Sequence, residues 1–93
     1  MATAKNWETG GNQAIGSGTS VQITSSTTNT QRGMVLKAAS DNTDSIWVGE
    51  TGVSTTTGFE LSAGEQVVLP VLIASEVFAI SSSGTQSASF LII

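Results

Sequence analysis

Apolar and polar positions alternate in short runs along this chain. No run has the i, i+3, i+4, i+7 spacing of a long amphipathic helix. Residues 19–25 place Val21 and Ile23 on one face and Ser20, Gln22 and Thr24 on the other, which predicts a half-buried strand. Residues 32–39 predict a second strand, with Met34 and Leu36 facing one way and Val35 and Lys37 the other. Residues 45–49 predict a third, in which Ile46 and Val48 share a face and Trp47 takes the opposite one. Ser40, Asp41, Asn42, Thr43 and Asp44 form a turn sequence, because Asp and Asn bond nearby backbone and tolerate left-handed φ. The strands flanking it are expected to pair as a hairpin. Residues 66–69 predict a strand stopped by Pro70, which has no N–H for a ladder. The β-branched content after it argues for an extended or 3₁₀ connection. Residues 77–81 and 86–93 predict two more strands around a hairpin turn at Gly84. The last of them sets Ala88, Phe90 and Ile92 on one face.

Residues 46–65 read as a short strand, a glycine-rich connection, a small anchoring segment and a tight turn. Single large residues, Val53, Phe59 and Leu61, are expected to pin these loops to the core. Residues 1–18 show neither period and contain Gly10, Gly11, Gly16 and Gly18. They are expected to form a flexible N-terminal arm whose large side chain is Trp7, with Ile15 as a smaller anchor. Two readings stand for Trp7: docking on a partner, as Trp is enriched at interfaces, or folding back on its own domain. Seven or eight short strands separated by turns predict one all-β domain over residues 19–93. Its expected form is a small β-sandwich or jelly-roll-like barrel.

Composition narrows the function. At 93 residues the chain suits one domain, and a domain this small gains from association with partners. It has no Cys, so neither disulfides nor a thiolate metal site can brace it. This fits synthesis in a reducing cytoplasm. Three cations, Lys5, Arg32 and Lys37, stand against seven carboxylates, for a net charge of −4. Phosphate neutralisation needs clustered Lys and Arg, so no nucleic-acid partner is expected, and no anionic membrane surface either. The start has no apolar h-region, so no signal peptide is expected. The apolar runs are too short to span a bilayer.

The residues offer little chemistry. His, Cys and Tyr are absent, which removes the usual general bases and nucleophiles. A site using Lys37, or Glu50 with Glu60, has no specific spacing, so no catalytic residue, cofactor or small-molecule substrate is expected. Asp41 and Asp44 with Asn42 and Thr43 offer oxygens of the kind calcium takes, but the later Glu and the Gly of an EF-hand loop are missing. A plain turn is the simpler reading, and no metal is expected. The glycine pairs lack the following Lys-Ser/Thr of a phosphate loop. Trp47 has two readings: a core or subunit-interface residue, or an aromatic platform for a sugar.

Several strings carry a resemblance. They are Met34-Val35-Leu36-Lys37-Ala38, Asn42-Thr43-Asp44-Ser45-Ile46-Trp47-Val48-Gly49, and Gly52-Val53 leading to Gly58-Phe59-Glu60-Leu61 and Gly64-Glu65. Val77-Phe78-Ala79-Ile80-Ser81 and Ser83-Gly84-Thr85-Gln86 complete the set. Over residues 31–93 the chain resembles small virion proteins of tailed bacteriophages, most of all capsid decoration (cement) proteins. That resemblance implies a homotrimer, in some cases a dimer, made in the host cytoplasm and sitting on the outer capsid surface of a virion. It implies bridging of major capsid protein subunits and bracing of the shell against internal pressure. Under it, Trp7 and Ile15 become capsid-docking residues of the arm, and Trp47, Phe59, Phe90 and Ile92 become subunit-interface candidates. The alternative reading is a receptor- or carbohydrate-binding head-fibre or tail accessory module.

Overall fold

A computed structural model of the chain describes residues 8–25, 30, 32–71 and 73–93. Trp7 lies outside them. Among the described residues eight strands run in order: β1 Glu8–Ile15, β2 Val21–Gln22, β3 Met34–Ala38, β4 Ile46–Gly49, β5 Phe59–Leu61, β6 Gln66–Leu69, β7 Phe78–Ser81 and β8 Gln86–Ile92. A single 3₁₀ turn, Ala74–Glu76, sits between β6 and β7, in the connection where β-branched residues disfavour an α-helix.

The strands form two antiparallel four-stranded sheets, ordered β1-β8-β3-β6 (sheet A) and β2-β7-β4-β5 (sheet B). The pairing has a simple logic. β1 pairs with β8, β2 with β7, β3 with β6 and β4 with β5, as if one long hairpin had been folded over on itself. The β3–β8 and β4–β7 pairs then knit the folded hairpin into two sheets. This is the strand order of a jelly-roll sandwich. It is open, with two edges on each sheet, and not a closed barrel.

The core lies between the sheets. Sheet A contributes Met34, Leu36, Ala38, Ala88, Phe90 and Ile92, and sheet B contributes Ile46, Val48, Leu61 and Ala79. Period-two alternation explains both sets: β8 reads buried at every second residue from Gln86 to Ile92. Each large aliphatic side chain so buried stabilises the fold by about 1.5–3 kcal/mol.

Four expectations are corrected. Residues 32–39 and 45–49 do not form a hairpin. β3 and β4 belong to different sheets and face each other across the core, so the turn between them changes sheets. The turn at Gly84 likewise joins β7 in one sheet to β8 in the other. Residues 8–15 of the expected arm are a strand of sheet A, paired with β8 from Glu8↔Ile92 to Ile15↔Gln86. Ile15 is fully buried in the core, so it is not available to dock on a capsid. Glycine hid this strand from the periodicity. Gly10 lies opposite Phe90, and a Cβ there would clash with the edge of the Phe90 ring. The ring covers the place where a side chain would have signalled the inner face. Finally, Phe90 is 7% exposed and Ile92 fully buried, so both are core residues of one subunit and not interface residues.

Candidate interaction surface

The side of the sandwich formed by β5 and β6 carries the two exposed large hydrophobic residues found among the described residues, Phe59 (59% exposed) and Val68 (55%). β5 and β6 are edge strands of their sheets, consecutive in sequence, and joined by the turn at residues 62–65. That turn is held locally: the Glu65 N–H donates to the Ser62 carbonyl at 2.9 Å, and the Ser62 N–H donates to Glu65 Oε1 at 2.7 Å. It is also held to sheet A, since Gly64 N–H donates to the Ala38 carbonyl at 3.1 Å and Ala38 N–H to the Glu65 carbonyl at 2.9 Å. Gly64 has φ +83°, a conformation its missing Cβ permits. A shallow groove of about 410 Å³ runs along this corner between Phe59, Leu61 and Gln66, with Glu60 and Glu65 at its rim.

Phe59 pairs with Val48 and starts on the inner face. β5 has only three residues and no neighbour beyond it in sheet B, so the ring emerges at the open side. Leu61, two residues on and paired with Ile46, is 2% exposed. The expectation that Phe59 pins its loop to the core is therefore corrected, while Leu61 and Val53 do so. Val68 reaches the surface for a different reason. In the apolar run Val67-Val68-Leu69 one residue must face outward, because strand side chains alternate. Val67 and Leu69 pack against the core and Val68 takes the outer face. There it extends an in-register row, Thr9–Leu91–Val35–Val68, across all four strands of sheet A. Sequence reasoning missed Val68, although three consecutive apolar residues in a strand were the available signal.

Trp47 is half-buried on the outer face of sheet B, opposite Ile80, which is 8% exposed. The loop after β4 folds back over this face and inserts Val53, 5% exposed. Glycines make room: a Cβ at Gly49 would stand 2.7 Å from Val53 Cγ2, and one at Gly58 2.9 Å from Trp47 Cβ. Trp47 Nε1 is buried without a hydrogen-bond partner. An unpaired buried donor of this kind costs about 1–3 kcal/mol. Trp47 thus belongs to a small second cluster beneath a loop.

The polar turn at residues 40–45 is occupied by structure. Asn42 Nδ2 donates to the Ser87 carbonyl at 2.9 Å, and Ser87 N–H donates back to Asn42 Oδ1 at 2.9 Å. Thr43 N–H donates to Gln86 Oε1 at 3.0 Å, and Gln86 Nε2 donates to the Ser83 carbonyl at 2.9 Å. Asp44 Oδ1 accepts from Ser82 Oγ at 2.7 Å and from Ser45 N–H at 3.0 Å. These bonds, the one from Ser82 first, hold its carboxyl below the usual carboxylate pKa. Among the described residues, no three acidic, His or Cys side chains gather as a metal cluster.

The titratable residues weighed for chemistry are not brought together. Lys37 is exposed on the outer face of sheet A, while Glu60, opposite Trp47, is on the outer face of sheet B and accepts from Ser45 Oγ at 2.7 Å. Glu50 lies elsewhere again. It borders a groove of about 760 Å³ at the end of β4, over Val48, Leu69, Val77 and Phe78, with Glu76 on the same rim.

Comparison with protein-family models, with curated proteins and with solved structures finds no match.

Proposed function

We propose that this chain is a structural virion protein that decorates the outer surface of a bacteriophage capsid and bridges major capsid protein subunits. The support is the sequence resemblance over residues 31–93, together with one observation. Among the described residues, two large hydrophobic side chains stand exposed on consecutive edge strands, Phe59 on β5 at the open side and Val68 on β6 on the outer face of sheet A, where protein surfaces can cover them. Jelly-roll sandwiches serve in viral capsids and in lectins alike, so the fold is compatible with the role without assigning it. Under this reading the chain assembles by protein–protein contact, as an oligomer, with no cofactor and no substrate turnover. Binding rests on apolar and backbone contacts, and many symmetry-related copies add by avidity.

Co-sedimentation with undecorated phage shells tests the proposal. The expected result is saturable binding that changes little between low and high salt, since few charges take part. A chain that never sediments with shells, but that is retained by glycans on an array, would move the assignment to a receptor-binding fibre module. Removing residues 1–18 is not a clean probe of docking, because it also removes β1 and Ile15 from the fold.

A further inference from the structure

We propose that the free edge of β6 pairs with the same edge of a second copy of this chain, antiparallel about a two-fold axis at Val68, so that two copies of sheet A become one eight-stranded sheet. The direction of the backbone groups comes first. The Glu65 carbonyl accepts from Ala38 N–H, so Glu65 points at β3. Successive residues of a strand aim their N–H and C=O groups to opposite sides. Val67 and Leu69 therefore also face β3, and Gln66 and Val68 aim their groups at the open edge. Among the described residues, β6 has β3 as its one neighbour in sheet A.

The other three edges are blunted in ways that discourage pairing. β1 carries a register shift between Gly10 and Gln13, β2 has two residues, and β5 has three with Glu60 at its centre. β6 pairs with β3 in unbroken register and has no charge from Gln66 to Leu69.

A second copy fits this edge on three counts. Centred on Val68, the pairing lets Val68 exchange both backbone hydrogen bonds with Val68 of the other copy and sets Val67 against Leu69. Gln66 falls opposite Pro70, where the strand ends: Val71 N–H donates to the Leu69 carbonyl at 2.8 Å, a tight turn that carries the chain away, and Pro70 has no N–H to extend the ladder. The charges also stay apart, which matters for a chain of net charge −4. The two Glu65 residues stand six residue steps from each other along the ladder, about 20 Å, well past a Debye length of about 8 Å. Last, the outer-face row Leu91–Val35–Val68 meets its own image, giving an unbroken apolar row of cross-strand neighbours over both copies. The pairing does not depend on the virion reading. Of the two associations that the resemblance implies, a homotrimer and in some cases a dimer, it takes the two-fold one.

Light scattering on the wild type and on Val68→Lys, over a range of concentrations, tests it, with amide exchange read at residues 66–69. The expected wild-type mass is twice the 9.5 kDa of the chain. Val68→Lys is expected to be monomeric with an unchanged far-ultraviolet spectrum. In the wild type the Gln66 and Val68 amides are expected to exchange slowly when concentrated and fast when dilute. A monomer at every concentration, a trimer, or a dimer that survives Val68→Lys overturns the pairing. So does a dimer whose Gln66 and Val68 amides exchange freely, a readout that decides the matter even if the variant fails to fold. Shell co-sedimentation is measured separately, so decoration and pairing can fail independently.

Discussion

The turn at residues 40–45 and the β5–β6 side of the sandwich make opposite use of their residues. The turn is rich in Asp, Asn, Ser and Thr, and the side chains of Asn42, Thr43, Asp44 and Ser45 all bond within the chain. Asn42 reads both backbone groups of Ser87, Gln86 bridges Thr43 to Ser83, and Asp44 gathers Ser45 and Ser82. The β5–β6 side has fewer polar residues, yet it leaves Phe59 and Val68 exposed and backbone groups of β6 turned outward. Side chains that look like ligands serve the fold, and side chains that look like core stand exposed. A buried backbone group left unpaired costs more than a good bond returns. The corner where the chain changes sheets must therefore satisfy itself, whereas an edge can wait for another chain.

The sharpest way to break this contrast is on β5 itself. Leu61→Ala is expected to lower stability by about 2–5 kcal/mol, as for other fully buried leucines. Phe59→Ala, two residues earlier, is expected to stay within about 0.5 kcal/mol of wild type, as for an exposed position. Urea unfolding of the two variants at a concentration where both are monomeric makes the comparison. Equal losses would show Phe59 to be a core residue after all.

Asn42→Ala comes next. It leaves the Ser87 N–H without its partner, while the Ser87 carbonyl keeps the Ala39 N–H at 3.0 Å, and is expected to cost about 1–3 kcal/mol, read as a shift of the urea midpoint at constant slope. A neutral result would mean the turn is held by Gln86 and Asp44 alone. Asn42→Asp keeps the acceptor and loses the donor, so its effect should fall between wild type and Asn42→Ala.

The smallest effect is at Asp44. Its carboxyl pKa is lowered on folding, chiefly by Ser82, from an ordinary value of 3.8. Its contribution is therefore complete above that ordinary value and is lost as pH falls through the lower folded value. The stability difference between wild type and Asp44→Asn should be constant at neutral pH and shrink on acidification below 3.8. Unfolding curves for both proteins along a pH series read this directly. A difference that does not change with pH would remove the Ser82 bond from the account.

Much of the fold was legible because strands announce themselves by alternation. Val21 and Ile23, Met34 and Leu36, Ile46 and Val48, and Ala88, Phe90 and Ile92 were all assigned to the correct shared faces, and Pro70 marked the end of β6. Alternation says which face of a strand is buried, but not which strand lies beside it. The tertiary structure alone paired β1 with β8, sent β3 and β4 to different sheets, and moved Phe90 and Ile92 from interface to core. It also separated Phe59 from Leu61, since exposure at a sheet edge depends on what lies beyond that edge. Local pattern determined an all-β chain of short strands, because each residue's neighbours along the chain set its face. Long-range register decided which apolar residues were spent on the core and which were left exposed, because burial is a property of the packed pair of sheets.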